Sequence, residues 1–292
     1  MTQPTSSAAQ TNPPRLAGDG RSRLAPALDQ IANWPWWLLV IIFLGLLILF
    51  EIVTNARMLT VFRAVSAGAV ITLVVSISAY AMALVIGLLV GLGRVSKNRL
   101  AYNLAAFYVE VVRGVPILVL LLYIAFVGVP LFVSGVNVVG GWLGPLGGGL
   151  AAFSTRQVDF TLRVVLGLGM AYGAFEAEIF RAGIQSIERG QMEAARALGM
   201  SYFQAMRHII LPQAIRRILP VLGNDFVSMV KDSSLVSVLG VTDITQLAKL
   251  YASSTFLFFQ TYSILAFIYL VLTILLTRGV RALEAWLTLF RQ

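Results

Sequence analysis

The chain has 292 residues, 58% of them hydrophobic and 12% charged, with a mean hydropathy of +0.84. Soluble domains run about 45–50% apolar and about 25% charged, so a lipid bilayer is the expected solvent. A formal net charge of +9 then reads as basic residues facing the cytoplasm rather than as a nucleic-acid surface. The lack of cysteine excludes disulfides, zinc–thiolate and iron–sulfur sites, and the lone His208 excludes histidine-rich metal sites.

Residues 1–33 are rich in Ser, Thr, Pro, Ala and Gln, the composition of a disordered tail. The apolar run after them reads as a retained span, because the tail is long and polar and no small-x-small cleavage site follows. A spanning helix needs about 20 mostly apolar residues. Six segments qualify: 36–53, 68–92, 104–127, 160–184, 215–240 and 256–280. Trp34, Trp36 and Trp37 stand where an interfacial aromatic belt would.

Lys and Arg set the orientation. With a cytoplasmic N-terminus, Arg15, Arg21, Arg23, Arg94, Lys97 and Arg99 lie inside. So do the arginines from Arg181 to Arg217, and Arg278, Arg281 and Arg291. Only Arg57, Arg63, Arg156, Arg163 and Lys249 fall outside, so both termini are expected in the cytoplasm. The external loop 128–157 contains GGWLGPLGGG and reads as flexible or interfacial, or else as a contact surface for an external partner. No span repeats another, which argues against an inverted-repeat secondary transporter.

Between the fourth and fifth spans stands EAARALGMSYFQAMRHIILP, residues 193–212. Glu193 sits in the first turns of a helix, where the dipole favours an acid. Gly199 follows Leu198 at the place of a left-handed helix stop. Ser201 and Gln204 are spaced as a capping box, opening a second short helix over 202–210. Pro212 is tolerated in a first helical turn, so a further helix is expected to begin there. Ala194, Ala195 and Leu198 would share one face, and Phe203, Met206 and Ile210 another. An amphipathic loop lying on the membrane is the plain alternative to a docking surface.

Charges inside spans are costly and often functional. Glu110 and Arg113 are three apart on the third span, a spacing that permits a helical ion pair. Glu178 and Arg181 have the same spacing on the fourth. Glu176, with Tyr172 four residues before it, faces a cavity or pairs locally with a basic residue. If it contacts substrate, it favours a cationic one. On the fifth span Asn224, Ser228 and Lys231 recur on one face, with Asp225 and Asp232 on the adjacent one and Ser233 and Ser234 beyond. They read as a pathway wall or gate, or as interhelical hydrogen bonds; Pro220 is expected to kink this helix.

The spacing E-A-A, three residues, G, nine residues, I-x-L-P is met by Glu193, Ala194, Ala195, Gly199, Ile209, Leu211 and Pro212. It resembles the EAA loop of the permease subunits of bacterial ABC importers. FYVEVVRGVPILVLLLY (107–123) resembles that family's E-x-x-R-G-T-P segment, with Val115 in place of Thr. GAFEAEIFRAGIQSIERGQ (173–191), LPQA (211–214), P-x-L-x-N (220–224) and KDSSL (231–235) match further landmarks. Together they are similar to the polar amino-acid uptake branch over residues 68–280. An apolar residue is the family's expectation at Glu176.

The resemblance implies an all-α integral membrane protein: a five-helix type I importer core over 66–281, an extra N-terminal helix over 34–54, and a C-terminal tail over 282–292. Residues 188–212 would form the cytoplasmic coupling loop, with Glu193, Ala194, Ala195, Leu198, Gly199, Ile209, Leu211 and Pro212 contacting an ATPase. Tyr172, Glu176, Asn224, Ser228, Lys231, Asp232 and Ser233 are the candidate pathway or gate. Glu110, Arg113, Glu178 and Arg181 are candidate structural ion pairs. No G-x-x-x-x-G-K-[ST] loop occurs, so ATP-Mg belongs on a partner and this chain is expected to bind no cofactor and to be no enzyme itself. The implied partners are two ATP-binding subunits, a second permease chain, identical or homologous, an extracytoplasmic binding protein and membrane lipid, with no nucleic acid. The implied site is a bacterial inner membrane. The alternatives are a permease of the same class for another small solute, an ATP-independent channel, and a membrane enzyme, for which the single His208 and absent Cys leave no catalytic set.

Overall fold

The computed structural model describes residues 36–289, and every regular element among them is helical. The expected tail over 1–33, Trp34, Arg15, Arg21, Arg23 and Arg291 lie outside the described residues. The chain divides into two units after Leu49. In the first, the described residues belong to α1 (Trp36–Thr54), which carries no charge before Glu51. Phe43 and Leu46 are exposed there, the pattern of a helix solvated by lipid.

In the second unit, Asn55 caps α2 (Ala56–Ser66) by accepting from the Arg57 N–H at 3.0 Å. Then come α3 (Ala69–Arg94) and α4 (Arg99–Gly114), the latter capped by Asn98. The single span expected over 104–127 is broken. Val115 is extended because Pro116 disfavours a helical residue before it and brings no N–H. Helix α5 (Ile117–Tyr123) then runs through a π-turn (Ile124–Gly128) into α6 (Val129–Trp142). The expected flexible loop over 128–157 is therefore mostly helical, with further short turns at Gly144–Gly147, Gly148–Ala151 and Thr155–Gln157. Two of its glycines serve packing: Gly140 lies against the Leu150–Ala151 backbone and Gly147 against the Gly140 carbonyl, with no room for a side chain at either.

Asp159 caps α7 (Phe160–Gln185). After α8 (Arg189–Ala197) comes α9 (Leu211–Asp232), with Pro220 inside it. The span expected over 215–240 changes form at its end, since Ser233–Leu239 winds as a 3-10 helix and Gly240, at φ +77°, stops it. An unforeseen helix, α10 (Ile244–Thr255), is capped by Asp243, and α11 (Phe258–Leu289) continues through most of the expected tail. Against the six expected spans, three helical stretches among the described residues are long and apolar enough to cross a membrane: Ala56–Arg94, Ile117–Trp142 and Phe258–Ala285; Leu38–Thr54 is apolar but shorter. Helices α7 and α9 fall short because they carry their own charges, Arg163, Glu176, Glu178 and Arg181 on one, Arg216, Arg217, Asp225, Lys231 and Asp232 on the other.

The core lies between α3 and α7, where Val75, Ala79 and Ala83 meet Val164, Leu168 and Tyr172. Apolar helices gain little by leaving lipid for each other, so close contact has to supply the attraction. Gly87 provides it: a side chain there would collide with the Glu176 Cβ and stand 3.0 Å from the Glu176 carbonyl carbon. The Tyr80 hydroxyl donates to the Leu222 carbonyl at 2.5 Å, joining α9 to the pair. Arg163, buried at the start of α7, donates to the carbonyls of Val158, Ala125 and Thr155.

Candidate functional site

The stretch 189–210 is shaped by local bonds. Helix α8 ends in a full Schellman motif: Gly199 N–H donates to Arg196 O at 3.0 Å and Met200 N–H to Ala195 O at 3.1 Å. Gly199 takes φ +84° to allow it. Ser201 Oγ accepts from Gln204 N at 3.2 Å, and Gln204 Oε1 accepts from Ser201 N at 2.8 Å. This capping box opens the turn Tyr202–Ala205. The separate helix expected to end near 210 does not end. It passes through a π-turn (Met206–Ile210) straight into α9. The wide turn accommodates the missing N–H of Pro212 without a break.

Burial corrects the expected faces. Ala195, Ala205, Met206 and Ile210 turn inward, the last two packing on Ile184, Ile187 and Ala214. Leu198 and Phe203 turn outward, 84% and 70% exposed, with Glu193, Ala194 and Gly199 also exposed. Leu198 lies in the cap, off the α8 register. Ile209, Leu211 and Pro212 are half-buried on the stem. Arg217 donates to the backbone carbonyl and hydroxyl of Ser186, tying α9 to the end of α7, and Gln213 reaches Gln191 at 3.4 Å, tying α9 to α8.

Beside it stands a charged cluster. Glu178 accepts from Arg181 Nε at 2.9 Å and from its terminal nitrogen. Glu110 does not pair with Arg113. Its carboxylate faces Arg94 at 3.9 Å, and Arg94 also lies 3.7 Å from Glu178. Arg113, in the last turn of α4, swings toward α7 and covers the Phe175 ring at 5.4 Å.

Deeper in the bundle, Glu176 is 0% exposed on the α3–α7 seam, and neither carboxylate oxygen has a hydrogen-bond partner among the described residues. Tyr172 turns from it and donates to Asp232 at 2.7 Å. Asn224 and Lys231 are exposed and Ser228 is half-buried, its hydroxyl donating to the Asn224 carbonyl at 3.2 Å. Ser233 is buried and donates to Val230 O at 2.7 Å. The structure thus joins Tyr172 to Asp232 and leaves Asn224 and Lys231 on an open face. Sequence reasoning missed Arg94, Tyr80 and buried Asp243. For Asp243 a signal existed: Gln246 three residues on, whose N–H it accepts at 2.8 Å as a helix cap.

The profile of the binding-protein-dependent transport system inner membrane component matches residues 83–289. The chain belongs to this family. The permease is 39% identical over 213 residues to the probable glutamine ABC transporter permease protein GlnM of Bacillus subtilis, covering 73% of this chain and 88% of the relative. It is 35% identical over 217 residues to the glutamine transport system permease protein GlnP of Escherichia coli, covering 74% and 90%. Among solved structures, an amino acid ABC transporter crystallised with histidines aligns with a TM-score of 0.65 at 34% identity, over 78% of the permease and 96% of that chain. The MetNI methionine transporter aligns at 0.59 with 18% identity, a likeness of fold alone, over 76% and 95%. The permease therefore has the all-helical fold of type I ABC importer membrane subunits.

Proposed function

We propose that the permease moves polar amino acids into the bacterial cytoplasm as the membrane subunit of an ATP-driven importer. The observation that carries this reading is the capped unit at 189–210. It presents Glu193, Leu198 and Phe203 to a partner, and its stem runs without a break from Tyr202 to Asp232. Two partner ATPases hold ATP-Mg and grip this unit. Its movement reaches the bundle through α9, which ends where Asp232 meets Tyr172. A second permease chain completes the pathway against the open face of Asn224, Ser228 and Lys231, and an external binding protein supplies the substrate. The arginine distribution supports a cytoplasmic location for both termini. The names of the relatives support an amino-acid substrate.

Co-purification tests the assembly. The permease should carry an ATPase whose turnover rises when a loaded binding protein is added. Substrate uptake by the permease alone in vesicles, without ATP, would overturn the reading.

A further inference from the structure

Between Arg113 and Arg156 the chain carries no charged side chain. The apolar span Ile117–Trp142 lies inside this stretch. At 1.5 Å per residue its 26 residues reach about 39 Å, more than a hydrocarbon core of about 30 Å. With the Arg113 end at one membrane surface, Trp142 therefore arrives at the headgroups of the other.

The register of α6 says which of its faces meets lipid. Val129, Val133 and Gly140 are buried, and the two valines pack with Ile124 and Val158. Leu131, Val138 and Trp142 stand on the opposite side of the helix, all exposed, with Trp142 at 84%. This stripe does not end with the helix. Gly144 turns the chain at φ +58°. Gly140 and Gly147 then let it fold back onto the buried side of α6, where a side chain on either would collide with backbone. Gly147 is covered by this fold, while Leu143 and Leu146 are left outside it. Leu146, 96% exposed, is the barest large apolar side chain among the described residues.

A contiguous apolar patch of this kind marks a protein or membrane contact. Protein interfaces surround such a patch with a polar rim, and the charge-free stretch supplies none. A bilayer surface asks for no rim, and Trp is enriched at that level. We propose that the segment 142–150 is an interfacial anchor, with Trp142, Leu143 and Leu146 seated among phospholipids of the leaflet opposite Arg113. The anchor holds the far end of α6, which leaves extended Val115, at the near end, as the place where the span pivots.

The inference rests neither on the substrate nor on an ATPase, so its failure leaves the import reading untouched. The protein has no cysteine, so Leu146→Cys supplies a single thiol for a nitroxide label. The labelled full-length chain would be placed in phosphatidylcholine nanodiscs. Electron paramagnetic resonance would compare collisions with oxygen, which concentrates in lipid, and with a nickel chelate confined to water. The oxygen-to-nickel ratio should exceed, several-fold, that of the same label on Arg156→Cys, an exposed position beyond the patch. Trp142→Ser in the Leu146→Cys chain should lower the ratio; an unmoved ratio overturns the role given to Trp142. Equal ratios at 146 and 156 would put the segment in water and overturn the anchor. A label at 146 shielded from both reagents would lie against protein, a second copy included, and would overturn the lipid.

Discussion

Where α3 meets α7, Gly87 lies directly on Glu176, two residues far apart in the chain. In the unit at 189–210 the opposite holds. Its bend comes from Gly199, Ser201 and Gln204, each bonded within a few residues of itself. The seam is buried and depends on the whole bundle. The bend is exposed and depends on its own sequence. A bundle held by close approach and a projection held by caps can therefore fail separately, and mutations should sort them.

The largest effect is expected at the seam. Gly87→Val forces α3 from α7 and should cost about 3 kcal/mol, the upper range for overpacking. The purified chain should melt at a clearly lower temperature; an unshifted melt would mean that the seam can open freely. Next comes the bend. Gly199→Val meets no atom within 4 Å, so its cost is confined to the left-handed backbone, about 1–2 kcal/mol. The melt should hold while ATP-driven uptake falls several-fold, and Gly199→Asn should keep most uptake because Asn tolerates that conformation. Normal uptake by Gly199→Val would detach the bend from transport. Ser201→Ala should remove about 1 kcal/mol from the cap alone, seen as faster amide exchange over Tyr202–Ala205 with α7 unchanged. Smallest of all is Glu110→Gln. Its side chain is 76% exposed and its contact to Arg94 is long, so the melt should shift by less than about 0.5 kcal/mol allows. A larger shift would place Glu110 in the buried network.

What could be read in the sequence follows the same division. Caps are short-range, so Gly199 and the Ser201–Gln204 box were visible as letters. The charge spacing also pointed to Glu178 with Arg181. It failed for Glu110 and Arg113, because spacing allows a pair but neighbours on α3 and α7 decide it. Arg94 could not be foreseen between Glu110 and Glu178, since only the packed bundle brings three helices together. The stretch 128–157 was misread because its glycines suggested freedom, whereas Gly140 is needed for contact. The π-turn at Met206–Ile210 left no mark beyond Pro212, and Phe203 does not share the buried face of Met206 and Ile210.

The unbroken run from Tyr202 to Asp232 is, in mechanical terms, a lever. At 1.5 Å per residue it is about 45 Å long, so a tilt of about 5° displaces one end by about 4 Å relative to the other. Pro220 removes one rung of the hydrogen-bond ladder near the middle. The rod is therefore stiff over each half and compliant between them. That compliance limits how much of a push at Phe203 arrives at the Asp232–Tyr172 bond, so the position of a single proline sets the gain of the lever.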